Sequence, residues 1–139
     1  MTPKDLEDMI KRHEGLRLKP YRCSAGRITI GYGRNLENKG ITTEEAEVLL
    51  INDINEVSQR LYEELPFFYQ LDDVRKSVLI DMAFNLGVMG LLGFRKTLGY
   101  MNAGDWESAS KEMLDSRWAK QVKGRATELA EMVRTGNLK

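Results

Sequence analysis

Glu14, Cys23 and Thr29 are the residues of this chain whose types and spacing suit the breaking of a glycosidic bond. Eight residues separate the first two and five separate the last two. A carboxylic acid can protonate a leaving oxygen, and a thiol and a hydroxyl can hold a water for the other side of the bond. Glycoside hydrolysis asks for that division of labour. The acid must keep its proton near neutral pH, which for a glutamate means a value above the ordinary ~4.3. Partial burial has that effect, and Gly15, Leu16 and a strand with Ile28 and Ile30 are the neighbours expected to supply it. A thiol ionises more readily beside cations, and Arg22 and Arg27 are close to Cys23 in sequence. Each residue also has an ordinary structural explanation. Thirteen glutamates are present, and most must be solvated surface. Free cysteines are mostly small core residues, and threonine is common in strands.

The elements around these residues can be read from caps and periodicity. Thr2 and Pro3 open a helix as N-cap and first-turn proline. Leu6, Met9 and Ile10 give it a stripe, and Gly15 closes it. Glu14 then falls at the helix C-terminus, where cations are favoured. Lys11, Arg12 and His13 follow that preference and Glu14 breaks it, which marks it as a candidate functional residue. His13 is expected to be an exposed helix-end residue. Tyr21 to Gly33 reads as a hairpin, with turn chemistry at Ser24-Ala25-Gly26 and strand formers Ile28, Thr29, Ile30 and Tyr32. Gly31 and Gly33 suggest that backbone there closely approaches another group. Asn35 to Gly40 is a polar loop.

Thr42 and Glu45 form a capping box for a long helix from about Thr43 to Leu65, ended by Pro66. Ala46, Leu49, Leu50, Ile54, Val57 and Leu61 lie on one face of it. At ~1.5 Å per residue it would reach over roughly 30 Å, as a strut between two lobes would. The rest reads as helices only. Leu71, Val74, Val78, Leu79, Met82 and Leu86 mark a strongly apolar one, and Gly87, Gly90 and Gly93 punctuate short segments. Others begin near Gly104 or Asp105, at Ser116 and at Gly124, the last stopped by Gly136. Trp106 and Trp118 are expected in the core.

At 139 residues this is one domain-sized unit with an ordinary globular composition. The net charge is zero but unevenly spread. Residues 9–40 carry eight Lys/Arg against two Glu, and residues 41–81 carry three against ten Asp/Glu. The basic segment suggests an anionic partner, or a solvated surface balanced by its acidic neighbour. Its cations are not interleaved with aromatics, which argues against a nucleic-acid partner. A single cysteine excludes an internal disulfide, and one Cys with one His excludes an ordinary structural zinc site. The lone His also argues against a Ser-His type centre. No signal peptide and no membrane-spanning run are apparent, so synthesis in a cytosol is expected, with no stable membrane association. A substrate outside the membrane would then require another factor to release the protein.

Three blocks, in order and covering nearly the whole chain, resemble the T-even phage lysozymes, the muramidases of glycoside hydrolase family 24. The first is Glu14-Gly15-Leu16-Arg17-Leu18-Lys19, Tyr21 and Thr29-Ile30-Gly31. The second is Leu71-Asp72-Asp73-Val74-Arg75-Lys76, Asp81-Met82-Ala83-Phe84-Asn85-Leu86-Gly87 and Gly93-Phe94. The third is Ser116-Arg117-Trp118, Gln121, Arg125-Ala126 and Arg134-Thr135-Gly136. The loop after Gly33 and the C-terminal tail look shorter than in the T-even enzyme.

The resemblance implies an α+β, mostly α-helical, two-lobed lysozyme-like fold. A small antiparallel sheet would lie in an N-terminal lobe of about 14–45. A connecting helix of about 43–65 would lead to a helical C-terminal lobe of about 66–139, joined by helix 3–13. It implies Glu14 as general acid, Cys23 in the place of the family's second carboxylate, and Thr29 as the water-holding hydroxyl. The cysteine leaves three roles open: water orientation, which is favoured, general base or nucleophile. Asn35, Phe84 and Thr97 are implied as glycan contacts, with a core aromatic as the other reading of Phe84. Arg117 and Gln121 are implied as groups holding the substrate's peptide or acid moieties. Glu112 falls where the T-even enzyme has an amide and is not assigned.

No metal or cofactor is implied. The expected partner is peptidoglycan, attacked by a monomer that depends on a holin for release and lyses the host of a phage. Two other functions remain. With one glutamate and no second carboxylate, a lytic transglycosylase could use the muramic 6-hydroxyl in place of water. A wall-binding or regulatory protein could keep the scaffold without the chemistry.

Overall fold

Thr2 starts the first helix as its sequence suggests. In the computed structural model, which describes residues 1–138, the Thr2 hydroxyl accepts the Asp5 N–H at 3.1 Å and the Asp5 carboxylate accepts the Thr2 N–H at 2.8 Å. This reciprocal cap opens helix α1, Pro3–Glu14, and Gly15 closes it by donating its N–H to Lys11 O. Glu14 is therefore the last helical residue. The expected stripe on α1 is not buried: Leu6 and Ile10 are each 45% exposed, and Met9 is half-buried. A period of 3.6 marks an apolar face, but burial needs a partner surface.

Three antiparallel strands follow in the order β1 (Arg17–Arg22), β2 (Ile28–Gly31) and β3 (Arg34–Asn35). Tyr21 faces Thr29 and Arg22 faces Ile28, and the register slips between Arg17 and Tyr21. Pro20 lies inside that slip. Proline cannot donate to the ladder, so a bulge is where a strand tolerates it. The turn between β1 and β2 is tied by Cys23 N–H to Arg27 O at 3.0 Å and Gly26 N–H to Cys23 O at 2.8 Å. Gly26 takes φ 80 there, the left-handed position of a three-residue hairpin loop. The short β3, whose Asn35 sequence reading assigns to a loop, pairs Ile30 with Arg34 and Thr29 with Asn35.

A clamp joins β3 to the next helix, α2 (Thr43–Glu64). The Arg34 guanidinium donates to both Glu45 oxygens at 2.8 and 2.7 Å, and to Gly40 O at 3.1 Å. The expected capping box is also present, with Thr42 N–H on Glu45 Oε1 at 2.8 Å and Glu45 N–H on Thr42 Oγ1 at 3.1 Å. Arg34 first, then the Thr42 N–H, hold the Glu45 carboxyl down at about 2 from an ordinary 4.5. A depressed carboxyl stabilises the fold above its unfolded value, and that contribution disappears as pH falls through the folded value. The melting-temperature difference between the natural chain and Glu45→Gln is therefore expected to be full above about pH 4.5. It should shrink towards zero near pH 2, as thermal unfolding over a pH series would show.

The chain divides into two compact units, Met1–Leu49 and Leu50 onward, and α2 runs through the division. Along the expected apolar face of α2, Leu61 is buried and Ile54 and Val57 are half-buried, while Leu49 and Leu50 stay exposed. Beyond Pro66 and a 3-10 turn at Phe68–Gln70 come α3 (Asp73–Leu86), α4 (Val88–Leu92), α5 (Arg95–Asn102), α6 (Trp106–Leu114), α7 (Arg117–Val122) and α8 (Gly124–Thr135). Asp72, Asp105 and Ser116 cap α3, α6 and α7 with side-chain oxygens. Helix α6 packs between α5 and α8, and α3 packs on α4 and α8. Their core holds Leu61, Phe68, Val78, Leu79, Met82, Leu91, Met101, Met113 and Val133, all fully buried. Trp118 is buried as expected, and its indole N–H donates to Asn85 Oδ1 at 2.8 Å.

Arg75 ties α3 to the end of α8. Its guanidinium donates to Val133 O at 2.7 Å and Arg134 O at 3.4 Å, and it lies 3.8 Å over the Trp106 ring. A cation there meets the unpaired carbonyls of a helix C-terminus. Among the described residues no helix is long and apolar enough to cross a membrane.

Candidate active site

The three candidate groups lie in the first unit, on α1 and the β1–β2 hairpin. Pairing puts Tyr21 opposite Thr29 and Arg22 opposite Ile28, and the Cys23 N–H on Arg27 O continues the ladder. Side chains alternate between faces with period two. Cys23 therefore shares a face with Tyr21 and Thr29, and Asn35, paired with Thr29 from the other side, joins it.

The Cys23 thiol is half-buried and held below its ordinary 9.0. The causes, largest first, are the backbone N–H of Arg27, that of Ala25, and the Thr29 hydroxyl. Hydrogen bonds to the charged form favour that form. The expected cause, the charges of Arg22 and Arg27, is not the one that acts. Both guanidiniums face Glu37, at 3.5 and 3.6 Å, and Arg22 also donates to Gly26 O at 2.9 Å. Glu37 in turn accepts the Ile28 N–H at 3.1 Å, which completes the β2 edge beyond β3. Sequence reading leaves Glu37 in a polar loop, since no local pattern announces a contact nine residues away.

Thr29 is only 3% exposed, and its hydroxyl donates to Arg27 O at 2.8 Å. With the proton engaged, its lone pairs remain to accept from a water. One hydroxyl proton cannot serve both the Arg27 carbonyl and Cys23 Sγ, so ionising the thiol competes with that bond.

Glu14 is not buried, contrary to the expectation of a partly desolvated acid. Its carboxyl lies against Gly33, in the turn that leads from β2 to β3. The close approach foreseen at Gly31 and Gly33 is therefore real at Gly33, and its partner is the acid itself. A β-carbon at Gly31 would meet no neighbouring atom. His13 is exposed at the end of α1, as expected.

The other candidates are distributed over both units. Asn35 stands on β3, and its Oδ1 accepts the Asn38 N–H at 3.1 Å. Thr97, Arg117 and Gln121 come together in the second unit, around a pocket of about 550 Å³ between α5 and α7. Thr97 is 2% exposed, so little of its hydroxyl reaches that space. Leu86, Phe94 and Trp118 give the pocket apolar walls, and the two rings meet edge to face at 5.9 Å. Arg95, Lys96, Glu112 and Asp115 also line it. Sequence reading left Glu112 unassigned and did not single out Arg95 or Lys96. Phe84 is not part of this pocket. It is 44% exposed on α3, and it borders two smaller hollows in the same unit. One of these is lined by the Asp81–Arg125 ion pair at 2.8 Å. Among the described residues no group of three or more His, Cys, Asp or Glu could hold a metal ion.

Among the described residues, eight α-helices and one small antiparallel sheet make a lysozyme-like α+β fold. Comparison with known proteins agrees. The profile of the phage lysozyme family matches residues 11–134. The chain is 38% identical to an endolysin of Acyrthosiphon pisum secondary endosymbiont phage 1, over 91% of this chain and 86% of that one. It is 29% identical to probable T4-type lysozyme 1 of Dictyostelium discoideum, over 96% and 95%. It is 32% identical to the pre-baseplate central spike protein Gp5 of Enterobacteria phage T4, over 96% of this chain but 28% of the spike protein. The chain belongs to the phage lysozyme family, whose members are lysozyme-type hydrolases.

Proposed function

We propose that this protein is an endolysin-type muramidase. It hydrolyses the β-1,4 bond between N-acetylmuramic acid and N-acetylglucosamine in bacterial peptidoglycan, and it thereby lyses a phage's host. The observation that supports this most directly is local. The Glu14 carboxyl rests on the turn of the same small sheet that carries Cys23 and Thr29.

In the reaction, Glu14 in its acid form gives its proton to the glycosidic oxygen, and the bond to the anomeric carbon breaks. Positive charge develops on that carbon. A water adds to it and loses a proton. Thr29 accepts a hydrogen bond from that water, because its own proton is engaged by the Arg27 carbonyl. Cys23, with its thiolate favoured by the Arg27 and Ala25 N–H groups, orients the water and helps to take its proton. Attack by sulfur to form a glycosyl thioether is the less favoured course, since an oxocarbenium-like centre is ordinarily met by a carboxylate.

Asn35 and Phe84 contact glycan. Arg117 and Gln121, in the pocket that Thr97 also lines, hold the peptide or acid groups of the wall. The protein works as a monomer without cofactor, and it reaches the wall through a membrane lesion made by a holin.

Mass spectrometry of digested cell walls tests the reading. Reducing ends on the released glycan are expected. Ends of the 1,6-anhydro type would replace it with a transglycosylase, and uncut strands with bound protein would replace it with a wall-binding function.

A further inference from the structure

The last turn of α1 meets the turn between β2 and β3 at two points. Lys11 Nζ stands 5.5 Å from the centre of the Tyr32 ring, and one helical turn later the Glu14 carboxyl lies on Gly33. A β-carbon built at Gly33 would fall 2.6 Å from Glu14 Oε2 and 2.9 Å from its Cδ, inside van der Waals contact. Among the glycines with positive φ, only Gly33 and Gly136 have any such neighbour within 4 Å, and only Gly33 has a carboxylate. The atoms in the way belong to the free end of a flexible side chain. An added β-carbon would therefore displace the acid rather than the backbone.

We propose that Gly33 is a positioning residue for the reaction: the absence of a side chain at position 33 sets where the Glu14 proton is held. This rests on the hydrolase reading above. A rotamer change at Glu14 would move the donor by an ångström or more, a displacement that costs a catalytic group about a hundredfold. Gly33 also takes φ +81, so an L-residue there carries backbone strain as well as the collision. Gly104, in the second unit at φ +73 with open space around its β-position, carries the strain alone and serves as the comparison.

The test measures wall hydrolysis, thermal unfolding and the ¹³C resonance of the Glu14 carboxyl in Gly33→Ala and Gly104→Ala. Gly33→Ala is expected to lower kcat by about a hundredfold with KM little changed, and to move the Glu14 resonance. Gly104→Ala should lower the melting temperature comparably and leave kcat and the resonance in place. Glu14→Asp, whose carboxyl ends one carbon short of the Oε2 that lies 2.6 Å from the new β-carbon, should cost markedly less activity in the Gly33→Ala background than in the natural one. If Gly33→Ala does not fold, Gly33→Asn tolerates positive φ, keeps the β-carbon and takes its place. A natural protein that leaves walls intact overturns the hydrolase reading. An unmoved Glu14 resonance, a retained kcat, or a loss of Glu14→Asp activity that is equal in both backgrounds overturns the role of Gly33.

Discussion

Glu14→Gln is expected to slow the clearing of permeabilised bacterial cells by at least about a hundredfold, within the range attributed to general acid catalysis. Glutamine matches the shape of glutamate but has no proton acidic enough to give a leaving oxygen. Among the described residues the Glu14 side chain makes no hydrogen bond and no ion pair, so the substitution removes little that holds the fold together. The melting temperature should therefore stay close to that of the natural chain. Thermal unfolding followed by circular dichroism, run beside the turbidity assay, separates lost chemistry from lost structure. Clearing at the natural rate by Glu14→Gln would end the enzymatic account.

The second large effect is expected at Cys23. Cys23→Asp should retain clearing, because a carboxylate can orient a water and accept its proton. Cys23→Ala should lose about tenfold or more, since a methyl group does neither. The pH profile carries further information. The thiol ionises below its ordinary range. If thiolate helps to deprotonate the water, activity rises as pH passes upward through that lowered value. Aspartate ionises near ~3.9, so in Cys23→Asp the rising limb should move to lower pH. An alanine variant that clears walls as fast as the natural chain would remove Cys23 from the mechanism.

Helix starts and stops were legible because each carries local chemistry. Thr2, Thr42 with Glu45, and Ser116 cap where expected, Gly15 and Gly136 close, and Pro66 lies two residues beyond the last residue of α2. The start of β1 was not legible. Arg17, Leu18, Lys19 and Pro20 are all exposed, so no alternation betrays a strand, and a proline argues against one. Nor was β3, whose two residues are too few to show a period.

At the candidate site, residue types and spacing together with the family resemblance single out Glu14, Cys23 and Thr29, but not the forces acting on them. Arg22 and Arg27 are near Cys23 in sequence, yet Glu37 engages both. The Arg34–Glu45 clamp depends in the same way on geometry across eleven residues. The stripe on α1 shows the opposite case, a clear pattern that is not buried. Periodicity tells which side chains share a face and is silent on what covers it.

The three candidate reacting groups fall within a single stretch of sixteen residues, inside the unit Met1–Leu49, whereas Thr97, Arg117 and Gln121 border a pocket formed wholly after Leu50. In the proposed assignment, the reacting groups and the groups that hold the peptide or acid moieties of the wall are thus encoded in separable lengths of gene, and Asn35 travels with the former. A crossover near codon 49 between two relatives would pass on one trait without the other. Chimeras made that way should inherit pH behaviour from the donor of the first segment and wall preference from the donor of the second.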